Sequence, residues 1–223
     1  MPTDPGHFLR VIALIDAANA NDPHREHDAH SGTDQPRELL YGQRMSAMLE
    51  RFCPDASMAV KIAVRAQHIR RWEIPRDSYP RTPFGYKQWR THLYRFHAEK
   101  TGELMREAGY AEDEIERVRK IVGKLGIKVN PETQLLEDVA SLVFLAHTLT
   151  GFAAQHPEYD HAKWIDILQK TWRKMSPTGQ AYALQQIELP AHLVPLIHEA
   201  AQTTSNATSN ASHAGADATR SPP

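Results

Sequence analysis

One cysteine in 223 residues, Cys53, rules out an internal disulfide and a cysteine-rich zinc site. An excess of one charge is also lacking. The 26 basic and 27 acidic side chains leave a formal net charge of −1. No global field of the kind that attracts nucleic acid follows from that balance, although local basic clusters remain. No apolar stretch reaches the roughly 20 residues that a membrane span needs. The start, MPTDPGHFLR, lacks the basic-then-apolar form of a signal peptide. A soluble, cytoplasmic protein without a membrane partner is the expectation. Glycine-rich phosphate loops, serine-nucleophile elbows and paired CxxC motifs are absent as well. What remains for chemistry is imidazole and carboxylate: the chain has 13 histidines.

No segment shows a convincing period of two, so the chain reads as helical. Asp4 and Pro5 suit the cap and first turn of a helix ending near Asp22-Pro23, and residues 23–35 read as a polar loop. A second helix runs from about Pro36 through Phe52. Asp55 or Ser57 can cap a third, carrying Val60, Val64 and His68. Three prolines in residues 75–83 break the pattern. A long helix closed by Gly109, another over 111–125 and an apolar helix opened by Pro131 follow. Further helices cover about 159–175, 178–187 and 190–202. The expected fold is all-α: one helical domain over 4–202, with a small, polar, disordered tail over 203–223.

The apolar helix carries an acidic pair, Glu137 and Asp138, in QLLEDVASLVFLAHTL. Leu135, Asp138, Leu142, Leu145 and Leu149 recur at spacings of three and four, which puts Asp138 on an apolar face. A carboxylate there must be paired, protonated or metal-bound. His68 and His97 stand in similar company on other helices. Together, His68, His97 and Asp138 supply the residue types of a divalent metal site, with Glu38 as a fourth ligand or general base. The same pattern arises from hydrogen-bonded core histidines and from Asp138 paired with Arg44, Arg70 or Arg71.

Arg70, Arg71, Arg76, Arg81, Lys87 and Arg90 surround the proline-rich loop, interleaved with Trp72, Tyr79, Tyr86 and Trp89. Such a set suits a phosphate, carboxylate or nucleotide, or single-stranded RNA through stacking. A solvated rim anchored by aromatics gives the same sequence. The run His24, Glu26, His27, Asp28 and His30 reads as a loop with at most adventitious metal affinity. Asp16 and Asn19 read as helix cross-links or caps.

The segment FHAEKTGELMREAGYAEDEIERVRKIV, then PETQLLEDVASLVFL, resembles the second half of the HD superfamily of metal-dependent phosphohydrolases. His97 matches its downstream histidine, Asp138 its terminal aspartate and His68 the histidine of its His-Asp doublet. Ile69 replaces the doublet's aspartate, and Tyr41 stands near the place of the first histidine. A closer resemblance covers residues 7–188. LIDAANANDP, ELLYGQRMSAML, RAQHIRRWEIPR, GYKQW, LEDVASLVFL and KTWRKMS together resemble the domain-of-unknown-function 4202 family, for which no activity is established. Members sometimes carry a glutamyl-tRNA synthetase label. HIRR at 68–71 and KMSP at 174–177 resemble that enzyme's HIGH and KMSKS signatures, but those work within a parallel nucleotide-binding sheet, and this chain has no βαβ pattern.

The expectation is an HD-like helical bundle acting as a metal-dependent hydrolase on a phosphorylated or other anionic small molecule. His68, His97 and Asp138 would hold the metal, and Glu38 or Glu137 would handle the proton of its water. Arg70, Arg71 and Arg76, with Trp72, Lys87 and Arg90 nearby, would hold the anion. The superfamily resemblance also allows an iron-dependent oxygenase on the same ligand set. The alternative is a non-enzymatic helical module that binds a nucleotide or RNA.

Overall fold

A computed structural model describes residues 5–28, 30–189, 191 and 193–203. The Asp4 cap and the expected disorder of the tail beyond Thr203 lie outside those residues. Helices dominate, as expected, and the chain divides into two compact units, Met1–Ala140 and Ser141–Pro223.

The first unit begins with α1 (Pro5–Asn19), a short hairpin, and α2 (Arg37–Phe52). The hairpin corrects the reading of residues 23–35 as loop. Strands β1 (Arg25–Asp28) and β2 (Thr33–Pro36) pair antiparallel, with His27 opposite Asp34. Its side chains are polar, so no apolar alternation betrays it; cross-strand and turn contacts hold it instead. His27 Nδ1 lies 3.0 Å from Asp34 Oδ1, and Gly32 closes the turn at φ 68. Arg44 on α2 pairs with Glu26 and lies 3.7 Å from Asp28. The acidic members of the histidine-rich run are thereby used structurally.

Ser57 caps α3 (Met58–Ala66), its hydroxyl accepting from the Val60 amide. The helix stops short of His68. Residues beyond it continue as tight turns and two short 3-10 segments, Arg71–Glu73 and Arg76–Ser78. Thr82 caps α4 (Pro83–Ala108), with Pro83 in its first turn, and Gly109 ends it at φ 98, a conformation that glycine adopts without a Cβ clash. α5 (Glu112–Val122) follows with three acidic residues in its first turn. α5 packs on α3 and α4, α1 on α3 and α4, and α2 on α3. Val11, Ile15, Met45, Ile62, Met105 and Ile121 are fully or almost fully buried between them.

Two cross-links tie α1 to the chain around His68. Asp16 accepts from Arg65 Nε and Nη2, both at 2.6 Å, and Asn19 Oδ1 accepts from the Arg70 amide at 3.0 Å. Both residues therefore link elements, as their positions suggested.

α6 (Pro131–Val143) carries the acidic pair, then passes through a π-helical turn (Phe144–Thr148) into α7 (Leu149–Gln155). By length and composition the run Pro131–Gln155 is apolar enough to cross a membrane, which corrects the expectation that no apolar stretch is long enough. Half of that stretch is buried inside the protein. In the second unit, α8 (His161–Trp172) is capped by Asp160 and α9 (Pro177–Gln186) by Ser176. Residues 194–203 are helical again. Phe152, His156, Tyr159 and Trp164 form its aromatic cluster, with His156 stacked on Tyr159 at 4.4 Å. The KMSP segment is explained by the α9 cap, since Ser176 Oγ accepts from the Gly179 amide.

Gly42 marks a close approach of α2 to the end of α3. A Cβ built there would lie 2.8 Å from the Arg65 carbonyl oxygen, which is backbone and cannot move aside. Helix propensity alone favours alanine by about 1 kcal/mol. Packing should win: Gly42→Ala is expected to lower stability by about 1–3 kcal/mol in urea denaturation. A more stable variant would show that α2 and α3 do not meet so closely.

Candidate functional site

The last turn after α3 brings His68 beside α2 and α4. Arg70 makes this geometry possible by adopting a left-handed conformation, φ 52 and ψ 32, which is costly for a residue with a side chain. Its amide is held by Asn19. The turn directs His68, Ile69 and Arg71 to their places.

His68 lies with its Nδ1 3.3 Å from Glu38 Oε2, and its ring stacks on Tyr41 at 4.1 Å. The His97 ring is 5.9 Å from that of His68. His97 is fixed at Nδ1 by the Ile69 carbonyl, 2.8 Å away, while its Nε2 is buried without a hydrogen-bond partner. Glu38, 6% exposed, has its amide tied to Asp22 Oδ2 at 3.0 Å. Asp22 also accepts from the His24 amide, so one buried carboxylate organises the approach to α2.

Lys124, in the connection after α5, supplies a buried ammonium. It also has a left-handed backbone, φ 56. Its Nζ lies 2.5 Å from Glu137 Oε2, and both side chains are almost completely buried. Tyr94 joins the groups: the Lys124 Nζ is 5.7 Å and the Arg90 guanidinium 5.3 Å from its ring, and Arg90 donates to the Tyr94 hydroxyl. Arg71 lies 4.8 Å from the centroid of the buried Trp89 ring. Among the described residues its guanidinium has no hydrogen-bond or ion-pair partner. Cation–π contact holds it without consuming its five donors.

These placements set the protonation states. Burial pushes the Glu38 carboxyl up to about 7, against the pull of Arg71. Burial holds His68 well below the usual imidazole range, and Arg71, Lys124 and Arg90 lower it further. Burial does the same to His97, reinforced by His68. Tyr41 is pushed up by burial, and Lys124 is lowered by burial despite Glu137. At neutral pH the centre thus holds two neutral imidazoles, a half-ionised carboxyl and a surplus of cations. His68 keeps 25% of its side-chain surface exposed, so the centre has a route to solvent.

The expected residues divide accordingly. Glu38, His68, His97, Arg71 and Arg90 share one electrostatic neighbourhood, with Glu137 joined through Lys124. Asp138 is buried and accepts from Gln134 Nε2 at 2.9 Å. Among the described residues no group of three or more His, Cys, Asp or Glu could hold a metal ion. The arginines first considered for Asp138 include Arg44 and Arg70, which pair with Glu26 and Glu73. Arg76 donates to the carbonyls of Tyr79 and Pro80 and so staples the loop. Trp72 is half-buried, and Lys87 is exposed at the α4 surface.

Lys124, Tyr94 and Asp22 were not singled out by the sequence reading. Lysine between two glycines in VGKLG was the one available sign of a special backbone at Lys124.

The match to the domain of unknown function DUF4202 spans residues 9–197. The chain belongs to this family. No curated protein and no solved structure matches it. The DUF4202 match includes every residue of the centre, from Asp22 to Glu137.

The raised Glu38 carboxyl makes stability depend on pH. A buried acid with a raised value favours the folded state below its unfolded value near 4.5. That contribution disappears as pH rises through about 7. Glu38→Gln removes this dependence. Relative to the variant, the natural chain should lose up to about 3 kcal/mol between about pH 5 and pH 8. Denaturant melts at the two pH values check this; an unchanged difference would mean that Glu38 ionises normally.

Proposed function

We propose that this DUF4202 protein binds a phosphorylated or otherwise anionic small molecule at the Arg71 centre and hydrolyses it by acid–base catalysis. The observation that carries this reading is an unpaired Arg71 guanidinium in the neighbourhood of the buried Glu38 carboxyl, which lies 3.3 Å from His68; burial pushes that carboxyl up to about 7 and holds both imidazoles low. Arg71 offers a planar fork to the anion, and Arg90 adds positive potential. Ionised Glu38 takes a proton from the attacking water as its oxygen bonds to phosphorus, and the proton passes through His68, 3.3 Å away, to the leaving oxygen as the ester bond to phosphorus breaks. A carboxyl that titrates at working pH suits this role.

The HD resemblance suggests metal catalysis through His68, His97 and Asp138. The neighbourhood is a poor one for a divalent cation. Arg71 and Lys124 depress both imidazoles and Arg90 also depresses His68, so a second positive charge would meet the same repulsion. The donor set also lacks a third convergent ligand among the described residues. The proposed chemistry therefore runs through Glu38, His68 and Arg71 alone.

A panel of phosphate mono- and diesters, assayed with and without chelator, tests the proposal. Turnover should survive chelation, rise with pH through about 7 and fall at least about 100-fold in Arg71→Ala and Glu38→Gln. Turnover lost on chelation and restored by a divalent ion would return the metal-dependent reading. Tight anion binding without turnover of any ester would favour a non-enzymatic binding module.

A further inference from the structure

A cleft of about 400 Å3 lies between α4 and α5 in the first unit. Its charged walls are Arg95 on α4, Arg119, Lys120 and Glu116 on α5, and Lys124 at its end. Four cations thus face one carboxylate. Their partners differ in a useful way. Arg119 Nη1 holds Glu116 at 3.1 Å, and Lys124 is committed to Glu137. Arg95 is 3.9 Å from Glu99, at the limit of an ion pair, and Lys120 has no hydrogen-bond or ion-pair partner among the described residues.

Apart from Thr91, the rest of the lining is mostly apolar. Ala98, the Tyr94 ring and Leu125 contribute, and Leu125 is 60% exposed despite its size. Gly123 keeps the cleft floor low: a Cβ there would meet the Arg119 carbonyl oxygen at 2.9 Å and stand 3.7 Å from the Ala98 Cβ. Lys124 has a left-handed backbone that turns the chain here. The volume falls within the range of small-molecule pockets, which combine an apolar lining with a few polar groups.

We infer that this cleft binds an organic phosphate of mononucleotide size. The phosphate sits among Arg95, Arg119 and Lys120, and the ring lies against Tyr94, Ala98 and Leu125. Inorganic phosphate fills only the charged half. The site uses residues other than Glu38, His68 and Arg71, so it stands independently of the hydrolytic reading. Lys124 and Tyr94 are common to the two neighbourhoods.

Calorimetric titration of the full chain with adenosine monophosphate, and separately with inorganic phosphate, tests this. The nucleotide should bind at least about tenfold more tightly than inorganic phosphate, because it alone covers the apolar lining. Lys120→Glu reverses an exposed, unpartnered charge and leaves the fold intact by circular dichroism. It should weaken nucleotide binding at least about tenfold. Arg71→Ala should leave that affinity within about twofold. Equal affinity for the two ligands, no nucleotide binding, or an unaffected Lys120→Glu would each overturn the inference. Loss of binding in Arg71→Ala alone would place the ligand at the buried centre and overturn it as well.

Discussion

Burying an ammonium is the constraint around which the first unit is organised. Lys124 is stripped of water almost completely, and Glu137 on α6 is its direct counter-ion. Removing either partner would leave an uncompensated charge, a loss of about 3–5 kcal/mol in comparable sites. The pair explains why an acidic residue interrupts the apolar run of α6. It also fixes the connection after α5 against α6, and Lys124 adds to the burial that lowers His68 and His97. Arg71 and Arg90 add to it, each held at an aromatic face. The imidazoles respond by staying neutral, and Glu38 stays partly protonated because its own desolvation outweighs the pull of Arg71.

Positioning these groups draws on several ordinary cross-links. Asn19 stabilises the left-handed Arg70, without which Arg71 and His68 would not leave α3 at the required angle. Asp16 binds Arg65 one helical turn earlier, and Gly42 lets α2 approach closely enough for Glu38 and Tyr41 to reach His68. Asp22 holds the amide of Glu38. Acid–base chemistry needs fixed distances, and the packing of α1, α3, α4 and α5 holds these groups in place.

Much of this was legible in the chain itself, and the reasons differ by element. Helices α2 to α5 announce themselves through apolar spacing, Ser57 and the Gly109 stop, whereas Pro83, read as a helix breaker, opens α4 behind the Thr82 cap. The hairpin was hidden because its strands are polar on both faces, leaving no alternation to read. His68 and His97 stood out as imidazoles in apolar surroundings, and they do come together. Glu137 was legible as an acid in a greasy helix, but its partner was not. Lys124 is separated from it by 13 residues and lies beside ordinary surface lysines, so only folding reveals which lysine turns inward. Arg71 and Arg76 looked alike in sequence; the structure commits Arg76 to loop carbonyls and leaves Arg71 open.

The central claim is that a positive, desolvated centre holds His68 and His97 neutral. Ring-carbon and ring-nitrogen chemical shifts of these two histidines through a pH titration measure this directly. Both should titrate well below an ordinary imidazole. Midpoints near the ordinary value of about 6.5 for either ring would contradict the account.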